Sequence, residues 1–229
     1  SDKLMNLYLI DVATKQVRTI ANSKVWEIRD FSFSPDCQWI TYTDYAENRF
    51  PVIYLYSLKE NKSYQITNEY FQNGQPTWDP KGNYLYFVSD RHFDGKTGNF
   101  EYNYIFNDMQ TIFGIALRKD VINPFAKYEG ESPVKIDSTA AKDQNTKSKS
   151  EKKTKTAEKT SPDNSIKIDF DDIQNRIFEF PILNGNYYGL YAFENKIYYA
   201  RYKDGVEPTL YVFDLKDKII HILILVSWR

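Results

Sequence analysis

With 229 residues, the chain is long enough for one large all-β domain or two small domains. Its 30 basic and 31 acidic side chains leave a formal net charge of -1, which gives no warrant for the basic stripe that nucleic acid requires. A single cysteine, Cys37, excludes an intrachain disulfide and a cysteine-rich zinc cluster. Tyr, Phe and Trp together make up 17% of the residues, a composition that favours pleated sheet over helix.

Read in chain order, the sequence repeats. Leu7–Asp11 and Gln16–Ile20 are strand candidates around a polar turn, and Ile53–Ser57 with Ser63–Thr67 repeats them about 46 positions later. Between them, Phe31-Ser32-Phe33-Ser34-Pro35-Asp36 leads into Trp39–Tyr42. Its counterpart about 45 positions on is Pro76-Thr77-Trp78-Asp79-Pro80-Lys81-Gly82, leading into Tyr84–Val88. Four short strands per unit at this period is the spacing of a β-propeller blade. Pro35 with Asp36, and Pro80 with Gly82, mark hairpin connections, because proline fixes φ and the next residues close the turn. Phe33 and Trp78, just before those turns, are expected to face inward and pack between blades, with Trp39 and Tyr84 beside them.

After Asp90 the period breaks. Residues 91–108 are polar and aromatic, long for a hairpin connection, and rich enough in aromatics after Gly98 to be expected packed. Thr111–Leu117 reads as the first strand of a third blade, and Asn123-Pro124-Phe125 as a turn. Ser138–Ser165 carries seven Lys and four acidic residues with no aromatic, so a disordered insertion is expected over 138–165. Strand candidates resume at Asn175–Phe180, Tyr187–Ala192, Lys196–Ala200 and Thr209–Asp214. Ile219–Val226 is too short to span a bilayer and reads as a strand.

The expected fold is an all-β, partial β-propeller of about three to four blades of four-stranded antiparallel sheets. Approximate blade boundaries are 4–46, 50–90, 111–202 and 209–229. Such a count does not close a ring, so the remaining blades are expected outside this sequence or in further chains, and unpaired blade faces are expected to drive self-association.

The order of motifs resembles the propeller region of tricorn-protease-like serine peptidases, whose blades are of the TolB type. The resemblance rests on Ser89-Asp90-Arg91 leading into Phe100-Glu101-Tyr102-Asn103, on Ile112–Asp120 with Pro124-Phe125-Ala126, and on Ile168–Arg176 followed by Pro181, Gly185-Asn186-Tyr187 and Leu190. It implies a non-catalytic portion of a large modular peptidase that channels or filters peptides. Its partners would be peptides or protein segments, the remaining blades, a downstream peptidase domain and, in the intact protein, further copies of itself. A TolB-like protein-binding propeller without an enzymatic partner domain is the alternative, and a propeller joined to a prolyl-oligopeptidase-type hydrolase a third reading. Cytoplasmic and periplasmic locations both fit.

The residues themselves carry no complete catalytic set. His92 and His221 are the only histidines, and no G-x-S-x-G, H-E-x-x-H or phosphate-binding glycine loop occurs. His92 reads as part of a hydrogen-bond cluster with Arg91 and Asp94. Asp169, Asp171 and Asp172 lack the glycine and closing glutamate of a calcium loop, so no metal and no cofactor is expected. Asp169 and Asp171 are expected to accept hydrogen bonds from backbone or from Arg176, fixing the return from the insertion. Peptide contact is expected from Arg91, Phe93, Glu101, Tyr102 and Asn103, which mix charge with aromatic surface on the long excursion.

Overall fold

In the computed structural model, residues 1–93, 95–98, 103–126, 165–203 and 206–223 are described. Glu101, Tyr102 and Asp94 lie outside them, as does the expected insertion 138–165 apart from Ser165. Among the described residues every regular element is a strand except one 3₁₀ turn, Ile173–Arg176. A two-stranded sheet pairs β1 (Asn6–Ile10) with β2 (Val17–Asn22). A four-stranded sheet follows, in the order β3 (Phe31–Phe33), β4 (Trp39–Tyr45), β5 (Pro51–Ser57), β6 (Lys62–Gln65). The next holds β7 (Asn73–Trp78) and β8 (Tyr84–Asp90), then β11 (Gln110–Ala116) and β12 (Ile177–Glu179). A small hairpin of β9 (Gly95–Thr97) and β10 (Tyr104–Phe106) stands between β8 and β11. The last sheet runs β13 (Asn186–Phe193), β14 (Lys196–Lys203), β15 (Val206–Asp214), β16 (Ile219–Leu223). All pairings are antiparallel.

The sheets are phased differently from the expected boundaries 4–46, 50–90, 111–202 and 209–229. They run over residues 31–65, 73–179 and 186–223, so Leu7–Ile20 is a pair preceding the first full sheet. Thr111–Leu117 forms the third strand of the second full sheet, and Thr209–Asp214 the third strand of the last. Local sequence marks strands and turns, but all hairpins use similar residues, so it does not mark which turn joins which pair.

Packing explains the stack. The central sheet, β7-β8-β11-β12, is apolar on both faces. Leu85, Phe87, Phe113 and Ile115 meet Ile53 and Leu55 of the preceding sheet and Ile66 just after it. Tyr86, Val88, Ile112 and Phe178 meet Tyr187, Ala192, Ile197, Tyr199 and Phe213 of the following one. Each such side chain, fully buried, contributes about 1.5–3 kcal/mol. Trp78 is buried as expected, but Phe33 is 52% exposed and Phe31 50%. Both lie in register with Ile40 and Tyr42, on the face toward β1 and β2. The two-stranded sheet covers Ile40, Tyr42 and Tyr56 with Leu7 and leaves the first strand of the next sheet bare.

Both predicted turns form. Ser34 N–H donates to Trp39 O and Cys37 N–H to Ser34 O, each at 2.9 Å; Asp79 N–H donates to Tyr84 O at 3.0 Å and Gly82 N–H to Asp79 O at 2.8 Å. Cys37 and Gly82 occupy the same left-handed position, at φ 55° and 69°. The segment after the insertion straps these turns together. Ile166 N–H donates to Asp36 Oδ2 at 2.6 Å, Trp39 Nε1 donates to Ile166 O at 3.3 Å, and Phe170 stacks on Tyr64 with centroids 4.0 Å apart. Arg176 donates to the backbone carbonyls of Ala116, Asp171 and Asp169, while the Asp169 carboxylate accepts from Lys119 N–H at 2.9 Å. Asp171 lies 3.4 Å from Lys119 Nζ, an exposed pair of little energetic weight.

One close approach is sharply testable. On β11, Gly114 sits in register between Tyr86 and Phe178, and a Cβ there would lie 2.3 Å from the Phe178 ring. Gly114→Ala is expected to destabilise the fold by about 1–3 kcal/mol, read from urea denaturation. An unchanged midpoint would mean that the ring shifts freely.

Candidate functional site

The long excursion leaves the central sheet at Asp90 and returns at Gln110. Two sheet-to-sheet connections, 66–72 and 180–185, reach the same end. Asp90 N–H donates to Gln72 O at 3.1 Å, and Gln110 and Gly185 exchange backbone hydrogen bonds of 3.0 and 2.9 Å. The excursion is thus bound at its base to both neighbours, as a functional loop on a rigid scaffold would be.

The peptide-contact candidates separate within it. Arg91 turns inward: its Nε donates to Ser89 Oγ at 3.1 Å and its NH2 group lies 3.4 Å from Asn73 Oδ1. Its guanidinium lies over Phe113, Phe71 and Phe87, at 4.6, 5.1 and 5.8 Å from the ring centroids. Burial pushes the Arg91 pKa down, partly opposed by the Glu179 charge. The three ring faces offset part of that desolvation. Phe93 turns outward, 66% exposed, edge-on to Phe106 at 6.4 Å. Asn103 accepts from Gly98 N–H through its backbone carbonyl at 2.8 Å, closing the β9–β10 hairpin. Glu101 and Tyr102 fall outside the described residues.

Two expectations about this loop change. The hairpin aromatics Tyr104 and Phe106 stack on each other but are 71% and 50% exposed, because a two-stranded hairpin has no second layer to cover its face. His92 pairs with Glu179, Nε2 to Oε1 at 2.8 Å, rather than with Arg91. The pair ties the excursion to β12. Tyr104, Ile105 and Phe106 extend the exposed surface beyond the residues singled out from the sequence. Their alternation of aromatic and aliphatic side chains was the available signal. Chemically this end offers stacking surface, and among the described residues neither imidazole is hydrogen-bonded to a serine hydroxyl or to Cys37.

Among the described residues there is also no cluster of three or more metal-ligating side chains, and no helix is long and apolar enough to cross a membrane.

Stacked four-stranded antiparallel sheets, joined from the last strand of one to the first strand of the next, define a β-propeller module. Residues 1–222 match the family described as Tricorn protease second beta propeller domain, and the chain belongs to that family. It is 31% identical over 124 residues to the Tricorn protease of Thermoplasma volcanium, covering 52% of this chain and 12% of that protein. It is 25% identical to the Tricorn protease homolog of Saccharolobus solfataricus, over 95% of this chain and 18% of the relative. The chain therefore spans less than a quarter of the length of these relatives. The crystal structure of the tricorn protease superposes with a TM-score of 0.71 at 18% identity, over 96% of this chain and 20% of that one. A TolB-type structure from Agrobacterium tumefaciens gives 0.51 at 12% identity, over 91% and 52%. At these identities both structural likenesses bear on fold alone.

The base of the excursion yields a pH prediction. Burial holds the Asp90 carboxyl above its ordinary value, against a hydrogen bond with Gln110 that lowers it. A folded-state pKa above the unfolded one makes ionisation cost stability. The cost is absent below the unfolded pKa, sets in as pH rises through it, and is complete above the folded pKa. Asp90→Asn is therefore expected to raise Tm at pH 7.5 and to give little gain near pH 3.5. A gain of equal size at both values would point to packing instead of charge.

Proposed function

We propose that the chain is the non-catalytic propeller portion of a tricorn-like serine peptidase, and that it channels or filters peptides passing to or from a peptidase domain elsewhere in the protein. Membership of the tricorn second-propeller family carries this reading. The exposed aromatic end formed by Phe93, Tyr104 and Phe106 supports it, since rings held on a fixed hairpin can stack on side chains of many sequences without demanding one. The partners are peptides or protein segments, the peptidase domain and further blades, and the intact protein assembles from several copies. Arg91 acts here by holding the excursion against the sheet, and Glu101, Tyr102 and Asn103 are kept as further candidates for peptide contact.

The bare faces at either end of the stack support further blades as neighbours. Phe31 and Phe33 lie open on one side, and Tyr188, Tyr191 and Phe193 on the other. The 229-residue chain alone is expected to self-associate in sedimentation velocity, and Phe33→Lys with Tyr191→Lys to shift it toward monomer. A monodisperse, cooperatively unfolding wild-type monomer would sink the open-array reading.

In the full polypeptide, Phe93→Ala with Tyr104→Ala is expected to lower kcat/KM for long peptides several-fold. Hydrolysis of short substrates and the Tm should stay close to wild type, because both side chains are exposed. Equal loss on long and short substrates would remove the hairpin from the peptide path.

A further inference from the structure

A second site lies at the same end of the stack as the excursion, on the first full sheet. There the connection from β2 to β3, residues 23–30, and the β4–β5 turn, residues 46–50, border a cleft of about 430 Å³. Its lining is Lys24, Val25, Trp26, Tyr45 and Arg49. Both borders are fixed from beneath. Ile28 is fully buried, Ser23 N–H donates to Met5 O at 2.9 Å, and Thr43 N–H to Asp30 O at 3.0 Å. Across the cleft, Ala46 N–H donates to Phe50 O at 2.9 Å and Asn48 Nδ2 to the Glu69 carbonyl at 2.7 Å. On this frame the lining side chains are left open: Lys24, Trp26 and Arg49 are exposed, Trp26 by 56%, while Val25 and Tyr45 are half-buried.

The chemistry of the lining is one-sided. Lys24, Arg49 and the Trp26 indole are donors only, and Tyr45 adds a hydroxyl. Among the described residues none of these four side chains has a hydrogen-bond or ion-pair partner. No carboxylate lines the cleft, and the acids of the 23–30 connection are committed elsewhere: Glu27 to Arg29, and Asp30 Oδ2 to Gln75 N–H at 3.1 Å. The repeat supplies an internal control. One period on, Phe71 holds the position of Trp26, and the excursion leaves where the 46–50 turn stands. There the protein covers the ring itself, with the Arg91 guanidinium 5.1 Å from the Phe71 centroid. Among the described residues Trp26 has neither a ring contact nor a cation over its face. The fold thus accommodates a covered ring at this position, yet in the first sheet it leaves the ring and two cations to solvent.

From this arrangement we infer that the cleft binds peptide segments presenting an acidic side chain next to an apolar one. The carboxylate takes the donors of Arg49 and Lys24 in a charge-assisted pair, and the apolar neighbour lies on Val25 and the Trp26 ring. A basic segment meets two like charges here, and a neutral one leaves both cations without a counter-charge, so the cleft discriminates by sign. Trp, Tyr and Arg are also the side chains that carry most of the binding energy in protein interfaces. The inference is defined by the cleft's own groups and does not rest on the peptidase reading.

Blocked peptides, whose only charge is the side chain under test, separate these contacts. Acetyl-Gly-Glu-Leu-Gly-amide is titrated into the full polypeptide by calorimetry, with its integrity checked by mass spectrometry. Replacing its Glu by Gln is expected to weaken binding about ten-fold, as loss of a charged hydrogen-bonding partner does. Replacing its Leu by Gly is expected to cost several-fold through lost apolar burial. Arg49→Gln should make the Glu and Gln peptides bind alike, and Trp26→Ala should remove the preference for Leu. Both positions are exposed, so the Tm of each variant should stay close to wild type. Binding that is absent, indifferent to Glu against Gln, or unchanged in both variants would overturn the inference. ATP or inorganic phosphate binding more tightly than the Glu peptide, and lost in Arg49→Gln, would overturn it in favour of a phosphate site. Each of these results would leave peptide hydrolysis by the full protein, and hence the peptidase reading, untouched.

Discussion

A four-stranded sheet with two apolar faces is stable only when both are covered, and that requirement organises this molecule. The central sheet meets it fully: one face closes on Ile53, Leu55 and Ile66, the other on Tyr187, Tyr199 and Phe213. Neither flanking sheet would bury its inner face without the central one, so stability is shared between neighbours instead of residing in any one sheet. The same requirement explains the exposed rings at the ends of the stack. Phe31 and Tyr191 are ordinary blade residues whose covering layer is not among the described residues.

Apolar contact alone leaves neighbouring sheets free to slide, and polar bonds between first strands fix their register. Gln75 adopts φ 54° at a bulge in β7, where its N–H meets Asp30 Oδ2 at 3.1 Å and its side chain donates to Tyr187 O at 3.0 Å. Thr77 donates to Leu190 O at 3.0 Å one step along. These bonds need the bulge, since a regular strand would keep the Gln75 backbone in the ladder. The strap from Ile166 to Arg176 performs the same service at the other end, joining Asp36 and Trp39 of one sheet to the third strand of the next. The chain thus tolerates a long insertion between β11 and β12, because its return is pinned by Arg176 and Asp169.

What the sequence discloses follows from which forces are local. Turn chemistry is local, so Pro35, Pro80 and Gly82 announce the hairpins, and the 45-residue spacing announces blades. Strand phase is not local: Thr111–Leu117 has the composition of a first strand and becomes a third because β8 is its partner. Burial is not local either. Phe33 and Trp78 hold equivalent positions before equivalent turns, yet only Trp78 has a neighbouring layer to cover it. At the excursion, an arginine beside aromatics reads equally as contact surface or as a packed cation, and only the positions of Phe71, Phe87 and Phe113 decide for the latter. Asp79 was legible as a turn residue but not as one wall of a cleft, since the other wall arrives from residues more than a hundred positions away.

Two sheets of one repeat, offset by 45 positions, also separate what the fold demands from what it merely permits. Ile40 and Leu85, and Tyr42 and Phe87, hold equivalent buried positions in the two sheets, and the Tyr42 hydroxyl in addition donates to Ser63 Oγ at 2.9 Å. Departures concentrate at the two ends of the central sheet. At one, the tight turn in which Ala46 N–H meets Phe50 O at 2.9 Å is replaced by the excursion carrying Arg91, Phe93 and the aromatic hairpin. At the other, Ser34 and Thr41 give way to Asp79 and Tyr86. The first leaves its rings exposed, and the second buries a carboxyl group and a phenolic hydroxyl at some cost in stability, although the Tyr86 ring itself packs on Tyr84 and Phe180. A sheet held rigidly on both faces can carry such costs at its ends, where the chain is least constrained by the core, so the better covered the middle of the stack, the more its rims are free for recognition.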